Sequence, residues 1–141
     1  MKLYSYFDKD KLLEIAKGSG NKQIVKDVNY ASFLVYHGGK LYCEWIDEGA
    51  FIIGQHQRSA FRIIGLCTKL ECRGKGLAKY LLRRVEDAAR ESGKKLIKTI
   101  SLSGVDFYVK QGYDVKGIKH GDFILEMELC TIMEVQDGVM R

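Results

Sequence analysis

The sequence predicts an α/β domain, more narrowly an α+β mixed sheet flanked by helices, and three features carry that class. Short β-branched and aromatic runs recur along the chain, bounded by turn residues. Between them lie stretches whose apolar residues return at helical spacing. A strand–helix–strand unit stands at the centre. At 141 residues, 46% of them hydrophobic, the chain suits one domain with a real core. Residues 1–141 are therefore read as a single domain, with 130–141 a candidate C-terminal appendage beyond the last strand.

The elements follow in order. "KLYSYF" alternates and is aromatic, as a first strand does. Asp8 or Asp10 can cap the helix "KLLEIAK", and Gly18 ends it. "KQIVKDV" is a second, short helix. "ASFLVYHGGKLYCEW" reads as a hairpin turning at Gly38-Gly39, and "AFIIG" extends the sheet. "FRIIGLCTK" is a further strand, from Phe61 to about Lys69. Leu77, Leu81, Val85, Ala88 and Ala89 then form one apolar stripe of a long helix that Gly93 stops. "KLIKTISL" is a strand, "VDFYVKQG" a short helix, and "YDVKGI" and "DFILEMEL" the last two strands.

Composition excludes several classes. No run reaches the roughly 18 apolar residues of a membrane span. The start "MKLYSYFDKDK" has no apolar signal core, so the expected location is cytoplasmic, away from any membrane. Cys43, Cys67, Cys72 and Cys130 form no CxxC pair and no zinc-spaced cluster, which points to reduced, buried thiols and no metal. His37, His56 and His120 are scattered and suit turns or surface. A formal charge of +5 and a pI near 9.0 favour an anionic ligand without diagnosing nucleic acid.

The stretch "LECRGKGLAKYLLRRVEDAARESG" shows where such a ligand would sit. Gly74 and Gly76 stand between Arg73 and Lys75 at the entry of the long helix. Glycines let backbone approach a ligand closely. The first helical N–H groups lack internal partners, and the helix dipole is positive there, so the entry is a phosphate cradle. A P-loop is excluded because Gly76 is not followed by Lys and Ser or Thr; a dinucleotide GxGxxG is excluded because position 79 is Lys.

Arg73-x-x-Gly76-x-Ala78 resembles the (Q/R)xxGx(G/A) motif of the GNAT superfamily of acetyl-CoA-dependent N-acetyltransferases. The string Phe107-Tyr108-x-Lys110-x-Gly112-Tyr113 resembles a second motif of that family, in its order and spacing, and the likeness spans about residues 61–129. It implies a mostly antiparallel GNAT-like sheet flanked by helices, with splayed central strands. It implies acetyl-CoA as co-substrate, its pyrophosphate held by Arg73, Gly74, Lys75, Gly76, Leu77 and Ala78. Backbone groups of Leu66, Cys67 and Thr68 would meet the pantetheine arm and the thioester carbonyl. Tyr108 would protonate the departing thiolate, a plausible role for a phenol of pKa about 10 in a dry site. Ser101 and Gly104 stand where the family often has Asn and Ala; both are small enough to keep cofactor access, and the resemblance counts Ser101 and Tyr108 among the residues that bind the cofactor. Arg62 stands where some members carry a general-base Glu.

The activity implied is direct transfer of acetyl to a primary amine, a small molecule or a protein amine. The missing Glu keeps open an acyl-CoA sensor of the same fold without turnover. A basic module for RNA or another polyanion is the rival from a different class. It needs exposed aromatics among Lys and Arg, whereas the aromatics here fall at alternating strand positions that read as buried. Glu44, Asp47 and Glu48, near Trp45, read as a charged strand end that could instead bind a cationic amine. Cys67 lacks a His or Asp at a recognisable spacing and reads as a strand thiol, not a nucleophile. The apolar residues of "TIMEVQDGVMR" would suit a partner's surface in a homodimer.

Overall fold

The computed structural model describes residues 1–129. The appendage and homodimer surface expected at 130–141, and Cys130, lie outside the described residues. Seven strands form one mixed sheet in the order β1-β2-β3-β4-β5-β7-β6. They are β1 (Leu3–Tyr4), β2 (Tyr42–Ile46), β3 (Ala50–His56), β4 (Ala60–Thr68), β5 (Leu96–Ser101), β6 (Asp114–Lys119) and β7 (Asp122–Glu128). Four helices accompany them: α1 (Lys9–Gly18), α2 (Lys22–Tyr36), α3 (Leu77–Glu91) and α4 (Val105–Lys110). The chain forms two compact units, one of residues 1–55 and 63–83, the other of 56–62 and the residues from Arg84 on.

In the first unit β1, β2 and β3 form an antiparallel meander. Asp8 caps α1 by accepting from the Lys11 amide, and Asn21 caps α2 by accepting from the Gln23 amide. Leu12 and Ile15 of α1 and Val28 of α2 bury with Trp45, Phe51, Ile53 and Cys67 in one cluster. Each fully buried Leu, Ile or Phe contributes about 1.5–3 kcal/mol.

The expected hairpin at 31–45 is corrected by this unit. Residues 31–36 continue α2, which runs fifteen residues instead of seven, and only Tyr42–Ile46 is a strand. Ile24, Val28 and Ala31 are the buried stripe at spacings of four and three, and their burial overrides the β-branched composition. Gly38, at φ +82, ends the helix, not a hairpin. Because the segment is helical, it turns aromatics outward: Phe33 is 57% and Tyr36 86% exposed, which corrects the expectation of buried aromatics.

In the second unit a parallel ladder joins Ala60, Phe61 and Arg62 to Leu96, Ile97 and Lys98. β7 pairs antiparallel with both β5 and β6. α4 packs on β6 and β7. Ile97, Leu125, Tyr108 and Tyr113 are buried. Among the described residues no helix is long and apolar enough to cross a membrane.

Candidate functional site

The glycine entry is held by the residues just before it. The Lys69 amide donates to the Gly49 carbonyl at 2.8 Å, and its ammonium donates to Glu14 at 3.0 Å. That hydrogen bond holds the Glu14 carboxyl below its ordinary range and the Lys69 ammonium above its own. A 3₁₀ turn over Leu70–Cys72 follows, with the Cys72 thiol on the Glu48 carbonyl. Arg73 donates from Nη2 to the carbonyl of Ser19, the buried C-cap of α1, at 3.1 Å.

Gly74 and Gly76 then take φ +82 and +77, in the left-handed region that a side chain resists. A Cβ on either would meet no described heavy atom within 4 Å, so the backbone is bare and open there. The Gly76 carbonyl accepts from the Tyr80 amide at 3.0 Å, which starts α3. The amides of Leu77, Ala78 and Lys79 thus belong to the first turn, whose N–H groups lack helical partners. Lys75 is exposed beside them and Leu77 is buried beneath. An open, amide-lined, positively charged entry fits a pyrophosphate.

Of the strand residues expected to face the pantetheine arm, Cys67 and Thr68 are buried and Leu66 half-buried at the end of β4. Burial pushes the Cys67 thiol up to about 12, with Arg73 opposing and Asp27 adding to the rise. A thiol so protonated is a poor nucleophile. Cys43 is raised to about 12 by the same cause, with Glu44 and Asp8 adding.

Tyr108 lies in the second unit, on α4, and is 5% exposed. Its ring stands edge-on to Phe107 at 5.4 Å and to Tyr113 at 5.2 Å. The Tyr113 hydroxyl donates to Glu86 Oε2 at 3.1 Å. Glu86 is a buried carboxylate inside the apolar stripe of α3, which the sequence reading passed over. Its signal was there: a charged residue one turn after Leu82 and three before Ala89. Ser101 accepts the Gly104 amide on Oγ at 2.9 Å, closing the turn into α4.

The acidic group near Trp45 is structural in its contacts. Glu44 is 3% exposed and accepts from Ser5 at 3.0 Å and Tyr42 at 2.5 Å. Asp47 pairs with Lys11 and Glu48 with the N-terminus.

The second unit also contains a cavity of about 350 Å³. Arg62, Lys98 and Lys119 line it, with Glu126, Ile100 and Ile124. Arg62, Lys98 and Glu126 face one another in register across β4, β5 and β7, and Ile100 faces Ile124 two residues on.

The profile of the acetyltransferase (GNAT) domain family matches residues 29–115, more than half of the chain. The chain belongs to the GNAT acetyltransferase family. Solved structures with this fold include the PaiA N-acetyltransferase of Thermoplasma acidophilum in complex with coenzyme A. It is 18% identical, with a TM-score of 0.69 over 91% of this chain and 99% of that one. The YhbS acetyltransferase of Escherichia coli, in complex with CoA, is 15% identical, with a TM-score of 0.71 over 92% and 81%. An aminoglycoside 6'-N-acetyltransferase complexed with coenzyme A is 13% identical, with a TM-score of 0.69 over 92% and 98%. No curated protein matches the chain.

Proposed function

We propose that this chain transfers the acetyl group of acetyl-CoA directly to a primary amine, in the cytoplasm. The observation that carries the reading is the pair Gly74 and Gly76, bare backbone in left-handed conformation at the entry of α3. Amides of Leu77 and Ala78, with Arg73 and Lys75 nearby, would hold the pyrophosphate of CoA. Backbone groups of Leu66, Cys67 and Thr68 would align the pantetheine arm and polarise the thioester carbonyl. The neutral amine forms the new C–N bond as the C–S bond breaks, and the electron pair leaves on sulfur. Tyr108 would supply a proton to that sulfur, and water would carry off the proton lost by the amine. Ser101 would keep the turn before α4 in the shape that places Tyr108.

Gly76→Glu tests the cradle. It adds a side chain at a left-handed position and a negative charge where the pyrophosphate would lie. Calorimetric titration with CoA should show at least a hundredfold loss of affinity in a variant whose circular dichroism is unchanged. Wild-type affinity in that variant would remove the reading. Arg62 supports a second reading, an acyl-CoA-binding protein of the same fold that turns nothing over, because a guanidinium cannot act as the base. Thiol release from acetyl-CoA across an amine panel separates the two.

A further inference from the structure

We infer that Lys69 is a positioning residue for the cofactor: seated between Gly18 and Gly49, it fixes the shape of the glycine entry before CoA arrives. The inference rests on the CoA reading above for what the entry binds, but on contacts within the first unit alone for how the entry is held. Gly74 and Gly76 do not hold themselves. A Cβ on either would meet no described heavy atom within 4 Å, so no packing on that side restrains the backbone. Glycine also loses the most conformational freedom when it is ordered. The order has to come from the residues that flank the pair.

Lys69 supplies it through its stem. On one side, a Cβ added at Gly18, the last residue of α1, would stand 2.9 Å from Lys69 Cγ. On the other, a Cβ added at Gly49 would stand 2.7 Å from Lys69 Cδ and 2.9 Å from its Cγ. Carbon atoms do not pack that closely, so the two glycines form a slot only as wide as the lysine stem. Gly49 also has φ +137, a conformation that other residues resist. Beyond the slot the Lys69 ammonium lies 3.0 Å from Glu14, and the lysine side chain is only 17% exposed. The Glu14 side chain is 55% exposed, so the ion pair itself adds little, and the slot does the holding. The Lys69 amide on the Gly49 carbonyl closes the same joint from the backbone. Cys72 and Arg73 then reach the carbonyls of Glu48 and Ser19, each at 3.1 Å. These contacts all end on α1, its cap, or the turn between β2 and β3. The glycine entry is therefore built on a frame made by α1 and that turn. A loop ordered in advance binds more tightly, because less freedom is lost on binding.

Gly18→Ala tests the slot without touching the entry. Gly18 ends a helix, where Ala is the better residue, and the added Cβ would push the Lys69 stem aside. Calorimetric titration with CoA should show about a tenfold loss of affinity, the scale of ordering one more loop residue on binding. Lys69→Ala should show the same loss. Lys69→Met keeps the stem and drops the ammonium, so it should stay within about twofold of wild type. Added to Lys69→Ala, Gly18→Ala should cost no further affinity, because the stem it displaces is gone; additive losses overturn the inference. A second readout needs no CoA. The amides of Cys72 and Tyr80 donate to the carbonyls of Lys69 and Gly76, on either side of Gly74. Their hydrogen exchange should quicken in Gly18→Ala and Lys69→Ala and stay at the wild-type rate in Lys69→Met. If Gly18→Ala fails to fold, the contrast between Lys69→Ala and Lys69→Met decides. Wild-type CoA affinity in Lys69→Ala overturns the inference and leaves CoA binding standing. If wild type itself binds no CoA, the CoA reading falls; quickened exchange in Lys69→Ala then still supports the strut, and unchanged exchange removes both.

Discussion

Tyr108 is buried on α4 between two aromatic edges, so its ring is held by packing and its hydroxyl is separable from that role. Tyr108→Phe should keep the fold and CoA affinity while single-turnover acetyl transfer falls 10²–10⁴-fold, as loss of a general acid does. Equal single-turnover rates across pH 6 to 9 would show that water protonates the sulfur. Cys67 invites a different test. Burial raises its thiol from 9.0 to about 12, so the folded state holds a proton that the unfolded state releases sooner. The stability this gives is complete below pH 9 and is lost as pH rises through 12. The stability gap between wild type and Cys67→Val in urea should therefore shift against wild type between pH 8 and pH 10.5; an unchanged gap would mean the thiol is not shielded. The turn into α3 was legible because Gly74 and Gly76 accept the left-handed conformation that other residues resist. The partner of Arg73, fifty-four residues away at Ser19, was not, because no local pattern encodes a side chain reaching a distant carbonyl.

At the scale of elements, the turn from β5 into α4 leaves no room for a side chain at Gly104. A Cβ on Gly104 would stand 2.8 Å from Ser101 Oγ and 3.5 Å from Tyr108 Cε2. Gly104→Ala should cost about 1–3 kcal/mol, the range for an overpacked site. In a Ser101→Ala background the cost should fall, since the hydroxyl that clashes is gone. A thermodynamic cycle by urea denaturation reads the coupling, and additive costs would place the strain elsewhere. The same element shows why sequence order was enough for α1, α3, α4 and the strands from β3 onward. Each has its own cap, stripe or glycine stop. The segment at 31–36 had none of these before Gly38, and its Phe, Val and Tyr favour a strand intrinsically. It is a helix because Val28 and Ala31 find apolar partners across α1 and the sheet, contacts that a reading of neighbours in sequence does not contain.

For the whole molecule, the competing classes of function differ in which ligand stabilises the native state. The exposed Phe33 and Tyr36 and the charge of +5 restore part of what a polyanion binder needs. The proposed cradle at Gly74 and Gly76, by contrast, would take a compact diphosphate. A ligand that binds only the folded chain adds RT ln(1 + [L]/Kd), about 2.7 kcal/mol at a hundredfold excess over Kd. For a chain of this size that is a rise of roughly 5–15 °C in Tm. CoA should produce such a rise at physiological salt and keep most of it at higher salt, because a few amide and charge contacts to one diphosphate release few counterions. Single-stranded RNA should raise Tm little and lose the effect between 50 and 200 mM salt, as binding through many phosphates does. Differential scanning fluorimetry over both ligands and a salt series reads all four numbers. If RNA raises Tm strongly at physiological salt while CoA leaves it unmoved, the glycine entry is not a CoA cradle, and the outward aromatics of α2 become the functional surface.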